Sequence, residues 1–380
     1  MSDRFPSNPA PPGAAQGGTG FQPVSPDAPN PAPPHKRRVR YAGKNPRRFE
    51  EKYKEHQPGQ FADTVAKVLA SGKTPAGTHR PIMVAEILSV LAPRPGEVAV
   101  DCTLGYGGHA EKLLGAIQPG GRLLGLDADP LELPKTEVRL RALGFGPDAF
   151  TAHRTNFAGL PQVLAAAGLA GVDLILADLG VSSMQIDNPA RGFSVKDAGP
   201  PDMRMNPQRG QSAGALLAKI QPDALSRLLV ENADEPHATT LGPALAGHEF
   251  ATTTALAEAI RRALPRLSRD EAGLSVRRVF QALRIAVNDE FSALTTLLRQ
   301  LARLLLPGGR VAILTFHSGE DRRVKQAFEA GLHAGEYAEI AAEVLRPGPE
   351  ERRDNPRCTS AKLRWARRPA SLELNSPPPA

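Results

Sequence analysis

Cysteine is almost missing: Cys102 and Cys358 are the only two in 380 residues. They stand too far apart for a Cys-x-x-Cys metal or redox motif and are too few for a disulfide framework, so both are expected to be free thiols. No stretch approaches the roughly 18 consecutive apolar residues that a membrane span requires. Met1 to Arg4 lead into prolines and glycines instead of the charged-then-apolar pattern of a secretory leader, so a cytoplasmic location is expected. No His/Cys cluster offers metal ligands, and none is expected.

What is present is a globular balance of 41% hydrophobic and 23% charged residues, in a chain long enough for one large domain or two ordinary ones. The net charge is +7, and it is unevenly placed. Lys36 to Lys54 holds nine Lys/Arg against two Glu, as large an excess as the whole chain's, so the remainder balances to zero. Arg346 to Arg368 carries eight basic against three acidic residues. Basic ends on a near-neutral body point to a polyanion, nucleic acid being the commonest; the alternative is solvated tails.

Residues 1–34 contain ten prolines and four glycines and few bulky apolar residues, so they are expected to be disordered. In the basic arm Tyr41, Phe49 and Tyr53 are interleaved as candidate stacking residues. The folded region is expected from near Thr78 to near Arg368. There short β-rich runs alternate with helical stretches, the pattern of a mainly parallel, doubly wound α/β sheet. The expected strands are Val98 to Cys102, Arg122 to Asp127, Ala149 to His153, Val172 to Asp178 and Arg310 to Phe316. Some 130 residues separate the last two, too many for a loop, which predicts an inserted helical subdomain over roughly 186–274 with runs such as Ala213 to Glu231 and Thr254 to Leu264. From Val276 to Leu305 apolar residues recur at steps of three and four, which predicts helix, with Asn288 as the candidate break and Pro307-Gly308-Gly309 as the stop.

Three strand ends carry polar chemistry. Asp101 runs into Leu104-Gly105-Tyr106-Gly107-Gly108-His109, a glycine turn at which a ligand can approach the backbone. Ala110 takes the place of the third glycine of the dinucleotide fingerprint, which weakens a nicotinamide reading. Asp127 closes the second strand nineteen residues after Gly108, where a carboxylate can accept from both ribose hydroxyls of an adenosine; the alternative is a helix cap. The fourth strand delivers Asp178 to Asp187 at the carboxyl edge of the sheet, where open α/β sheets bind ligands. After the fifth, His317 is a candidate cofactor or RNA contact, while Ser318 with Asp321 reads as a helix-capping box. These spacings alone support a nucleoside-cofactor enzyme.

Together with His79-x-Pro81-x-Met83-x-x-Glu86, Arg191-Gly192-Phe193-Ser194, Asp202-Met203-Arg204-Met205, the segment from Phe280 to Glu290, Phe316-His317-Ser318-x-Glu320-Asp321-Arg322 and Ser360 to Arg364, these motifs resemble the bacterial RsmH (MraW) methyltransferases, in order, from about residue 79 to 367. The resemblance implies a class I, Rossmann-like methyltransferase fold over 76–185 and 275–368, with a helical RNA-recognition domain inserted at 186–274, an extension at 1–75 and a tail at 369–380. It implies transfer of a methyl group from S-adenosyl-L-methionine to the exocyclic N4 of a cytidine in the decoding region of 16S rRNA, in the small (30S) subunit. Carried over by position, the cofactor contacts are Gly107, Gly108, His109, Asp127, Phe157, Asp178 and Gln185. Phe157 is placed to face adenine, or else to pack in the core. Asp178 is the candidate catalytic acceptor for an amine hydrogen, although Leu179-Gly180 follows it where amine methyltransferases often have proline-proline-aromatic, which keeps a cofactor-only role open. Arg191, Arg204 and Arg284 are expected either to hold RNA or to form structural salt bridges. Gly319 stands where the family usually has leucine, and Cys358 where it has serine.

Overall fold

The computed structural model describes residues 81–370. The proline-rich stretch, the basic arm with Tyr41, Phe49 and Tyr53, the expected start near Thr78 and residues 371–380 lie outside the described residues.

Five strands run parallel: β1 (Val98–Asp101), β2 (Arg122–Asp127), β3 (Phe150–Arg154), β4 (Val172–Asp178) and β5 (Leu305–Thr315). Two more were not expected from sequence: β6 (Glu339–Ile340) and β7 (Lys362–Arg367), with β7 antiparallel to both β5 and β6. The order is β3-β2-β1-β4-β5-β7-β6. The chain reverses its direction of travel across the sheet between β1 and β4, and the carboxyl ends of those strands form the crevice in which doubly wound sheets bind ligands.

Strand alternation feeds two cores. In β4, Ile175 and Ala177 point to one face, against α4 (Leu160–Ala166), α11 (Glu290–Leu304) and α12 (Ser318–His333). Leu174 and Leu176 point to the other, against α1 (Val84–Leu91), α2 (Gly108–Ile117) and α3 (Leu133–Ala142). Each fully buried leucine in these layers contributes about 1.5–3 kcal/mol. Cys102 and Cys358 are free and buried, one on each side.

A third hydrophobic cluster is helical. It is built from α6 (Ala213–Lys219), α7 (Pro222–Ala233), α8 (Ala238–Leu245), α9 (Thr253–Ala263) and α10 (Arg269–Val287). The run expected as one helix from Ala213 to Glu231 is two, because Pro222 disfavours helical geometry at Gln221, which takes ψ 149. α10 starts in a capping box of Ser268 with Glu271 and buries Val276, Val279, Phe280 and Leu283 in this cluster, so the helical core extends past Leu274. The break at Asn288 is present, and Asp289 turns the chain with φ 50 before α11. Pro307-Gly308-Gly309 does not stop that helix, which has already ended at Leu304. It sits inside β5, where the pairing jumps from Val172 with Leu305 to Leu174 with Arg310 and Gly308 adopts φ 75, the signature of a bulge.

Candidate active site

Three aspartates, Asp101, Asp127 and Asp178, stand at the carboxyl ends of β1, β2 and β4 around one glycine turn. Gly107 is the N-cap of α2 at φ 79, and a Cβ there would lie 2.8 Å from Thr136 Cγ2. One at Gly108 would meet Pro81 at 3.1 Å. α3 braces the turn from outside, through Thr136 Oγ1 donating to the Gly105 carbonyl and Arg139 donating to the Tyr106 carbonyl. Inside, the Asp178 amide donates to Thr103 Oγ1 at 2.6 Å and the Thr103 amide donates to Asp101 Oδ1 at 3.0 Å, tying β4 to β1.

Asp178 is the chemically exposed member. Its Oδ1 is buried without a hydrogen-bond partner among the described residues, while Oδ2 lies 3.5 Å from His109 Nδ1. Burial, and then the charge of Glu320, push its carboxyl up to about 7. His109 is buried, and its Nε2 lies 2.8 Å from the Ile82 carbonyl. Burial lowers its proton affinity, against the pull of that carbonyl. Asp101 and Asp127 are each raised to about 6, by burial first and then by neighbouring negative charge, with His109 and the Thr103 amide opposing at Asp101 and the Asp129 and Gly105 amides at Asp127. Three carboxyls at one edge of the sheet, each raised above its ordinary value, are relieved by a ligand carrying positive charge, and the orphaned Oδ1 gives it an acceptor.

Asp127 is currently engaged by the loop, accepting from the Gly105 amide at 2.7 Å and the Asp129 amide at 2.8 Å. It does not cap α3, whose N-cap is Glu132. Asp129, which the sequence reading passed over, is 1% exposed and central: its Oδ2 accepts from Gln185 Nε2 at 2.8 Å and Arg191 Nη1 at 2.7 Å. Gln185 in turn closes a capping box with Ser182 at the start of α5 (Ser183–Asp187). Phe157 opens a short 3-10 turn after β3 and packs partly buried against the first core.

The three arginines expected near RNA are all held internally. Arg191 is 7% exposed and, besides Asp129, donates to the carbonyls of Arg204 and Met205. Arg204 grips Asp202 with Nε and Nη2, both at 2.7 Å. Arg284 makes a two-pronged pair with Glu290, both contacts 2.8 Å, and lies 4.0 Å from Glu320. The geometry is that of the structural alternative. Asn288 completes the same corner by accepting from the Met205 amide and donating to the Met203 and Arg284 carbonyls.

His317, not Ser318, caps α12, because its side chain accepts from the Glu320 amide. Ser318 instead donates to Asp234. Glu320 is 3% exposed; burial alone would raise its carboxyl, but His317 Nε2 at 3.1 Å, Arg284 and the Phe316 amide hold it below the usual range. It therefore stays charged beside Asp178. Glu290, Glu320 and Asp129 were missed as site residues; only Asp129, two places after Asp127, had a visible signal.

The model of the MraW methylase family matches residues 76–369. The chain is 48% identical over 346 residues to Ribosomal RNA small subunit methyltransferase H 1 of Lachnoclostridium phytofermentans, covering 89% of this chain and 94% of that protein. It is 50% identical over 339 residues to Ribosomal RNA small subunit methyltransferase H 2 of Alkaliphilus metalliredigens, covering 87% and 97%. A protein of the former name from Agathobacter rectalis is 47% identical over 341 residues, with coverages of 87% and 97%. These shares exceed the stretch 76–369, and few residues follow 369, so the matched length takes in residues before 76.

Proposed function

The chain belongs to the MraW methylase family, and on that premise we propose that it transfers the methyl group of S-adenosyl-L-methionine to the exocyclic N4 of one cytidine in the decoding region of 16S rRNA. It is an S-adenosylmethionine-dependent rRNA methyltransferase; the target within the 30S subunit and a cytoplasmic location belong to the proposal. Among the described residues no helix is long and apolar enough to cross a membrane. The observation that carries the reading is Asp178: a strand-end carboxyl with an unpartnered buried oxygen, beside the glycine turn, raised to about 7.

Gly107, Gly108, His109, Asp127, Phe157, Asp178 and Gln185 hold the cofactor in this reading. Asp127 would accept from the ribose hydroxyls and Phe157 would face adenine, and the acidic strand ends suit a cationic group. When bound, S-adenosylmethionine supplies an electrophilic methyl on a positively charged sulfur. A cytosine amine is a poor nucleophile, because its lone pair is delocalised into the ring, so orientation does most of the work. As the nitrogen gains the methyl it sheds one proton, and Asp178 Oδ1 accepts it. A carboxyl with a pKa near 7 is matched to that task at neutral pH. The base must leave its stack to reach the site, which costs a few kcal/mol unless the RNA presents it unpaired.

In this reading the segments 76–185 and 275–368 are the cofactor-binding domain and 186–274 the inserted RNA-recognition domain; the separate helical core supports a distinct helical unit, and it runs on through Leu283, past the boundary at 274. Arg191, Arg204 and Arg284 serve RNA binding by fixing the corner around Met203 to Met205. The basic arm within 1–75 adds phosphate contacts. The test is incubation with labelled cofactor and, separately, unmethylated small subunits, naked 16S rRNA and DNA, followed by mapping of the labelled nucleotide. Label on a cytosine amine of the subunit supports the reading; label on DNA alone overturns it.

A further inference from the structure

The arginines that face solvent are not those of the sequence motifs. Between Arg261 and Arg278 there are six arginines against two acids, Asp270 and Glu271. Arg261, Arg262, Arg266, Arg269 and Arg277 are exposed and Arg278 is half-buried. Among the described residues none of the six side chains has an ion-pair or hydrogen-bond partner. Glu271 is committed to the cap of α10. Arg261 with Arg262 and Arg277 with Arg278 are sequence neighbours, and like charges set side by side repel unless an anion intervenes.

Their placement gives the cluster a direction. Arg277 and Arg284 are seven residues apart on one helix, two turns and about 10 Å along the same face, with Gln281 between them. Arg284 touches the Glu290–Glu320 group whose charge reaches Asp178. Arg269 begins the same helix fifteen residues before Arg284, about 22 Å away. A basic surface therefore starts at the turn between α9 and α10 and runs down α10 as far as Arg277, two turns short of Arg284 and the carboxylates whose charge reaches Asp178. Leu274, 43% exposed, lies in the midst of this surface.

We propose that the exposed face of α10, with the end of α9, is the surface along which the phosphate backbone of the substrate RNA lies while the target base enters the site. This rests on the reading of the chain as an rRNA methyltransferase and names the surface that reading lacks, since Arg191, Arg204 and Arg284 are already satisfied by protein groups.

The test is the triple variant Arg266→Glu, Arg269→Glu, Arg277→Glu in the full chain, with Arg299→Glu, Arg303→Glu on α11 as a charge control. Binding to unmethylated small subunits and to naked 16S rRNA is measured across salt concentrations, alongside cofactor titration and thermal unfolding. The triple variant is expected to bind both RNAs at least about tenfold more weakly at low salt, with a salt slope reduced by about two, cofactor affinity unchanged and the control close to the parent. If the reversed charges disturb folding, the glutamine triple at the same positions is read the same way. A slope equal to the parent's overturns the proposal. So does weakening confined to whole subunits, which would make this face a protein contact. Absence of RNA binding by the unaltered protein would instead sink the substrate reading.

Discussion

Asp178 Oδ2 and His109 Nδ1 lie 3.5 Å apart, and the far nitrogen of that ring is committed to the Ile82 carbonyl. A carbonyl only accepts, so the neutral ring carries its proton on Nε2 and turns a lone pair toward Asp178. Two acceptors facing each other favour a proton between them, in line with a carboxyl raised to about 7 by burial and by Glu320. Asp178 then has one oxygen occupied by this pairing and one buried without a hydrogen-bond partner among the described residues.

The first prediction is a pH profile. If ionised Asp178 is the acceptor, kcat/KM falls about tenfold per unit below a midpoint near 7 and is flat above it. Asp178→Asn should lose at least about a hundredfold in turnover and lose the acid limb. Full activity of that variant with normal cofactor titration would remove Asp178 from the chemistry.

The same carboxyl makes a stability prediction of opposite sign to activity. Its folded pKa, about 7, exceeds the reference 3.8, so ionisation opposes folding: the penalty is absent below about 4, grows as pH rises and is complete above about 7. Cofactor-free Asp178→Asn should therefore unfold at higher temperature than the parent at pH 8, with the difference shrinking toward pH 4. A variant less stable at pH 8 would mean that the carboxylate is satisfied by a group that asparagine cannot engage.

Asp129 and Arg191 form an ion pair that is 1% and 7% exposed, with Gln185 and two carbonyls completing it. Removing one partner strands a buried charge, so Arg191→Met should cost about 3–5 kcal/mol in denaturant unfolding, and Asp129→Asn together with Arg191→Met should recover part of it. An Arg191→Met protein of parental stability but poor RNA affinity would restore the phosphate-binding role.

These residues also mark where the sequence stopped being legible. The ends of β1, β2 and β4 could be read because a buried apolar run closing in aspartate is a local pattern, and the glycine turn is contiguous with one of them. Asp129 stands two places past such an end, but its role could not be read, because its partner is 62 residues away and only folding brings them together. Arg284 reaches Glu290 six residues on, a spacing that places them apart on a continuous helix; the left-handed Asp289 folds the chain back so that they meet. β7 was hidden inside a basic run: Leu363 and Ala366 are buried on opposite faces of the sheet, while Lys362 and Arg364 both pair with Asp321.

Asn288 holds the corner by three bonds of 2.7 to 2.9 Å and secures Met203 at φ 62, a conformation that a methionine adopts only under constraint. Asn288→Ala should destabilise by about 1–3 kcal/mol and speed amide exchange at Met205. Asn288→Asp should be nearly as harmful, because it keeps the acceptor but sets a carboxylate against two carbonyls. Equal stability of the aspartate variant and the parent would show that only the bond from Met205 matters.

The resemblance read from the sequence leads one to expect leucine at position 319, and Gly319 is closely packed there. A Cβ at this buried position would lie 2.7 Å from Phe291 Cζ, and the guanidinium of Arg323 sits 3.5 Å from the centroid of the same ring. His317, the cap of α12, packs tilted against that ring at 5.8 Å. Gly319→Leu should therefore cost about 1–3 kcal/mol through displacement of Phe291. It should also disturb His317 and, through Glu320, raise KM for RNA more than it alters cofactor affinity. Adding Phe291→Ala vacates the ring's volume and should return most of the stability. A double variant no more stable than the single would place the cost in the helix backbone, and the glycine would then be required by α12 itself and not by its aromatic neighbour.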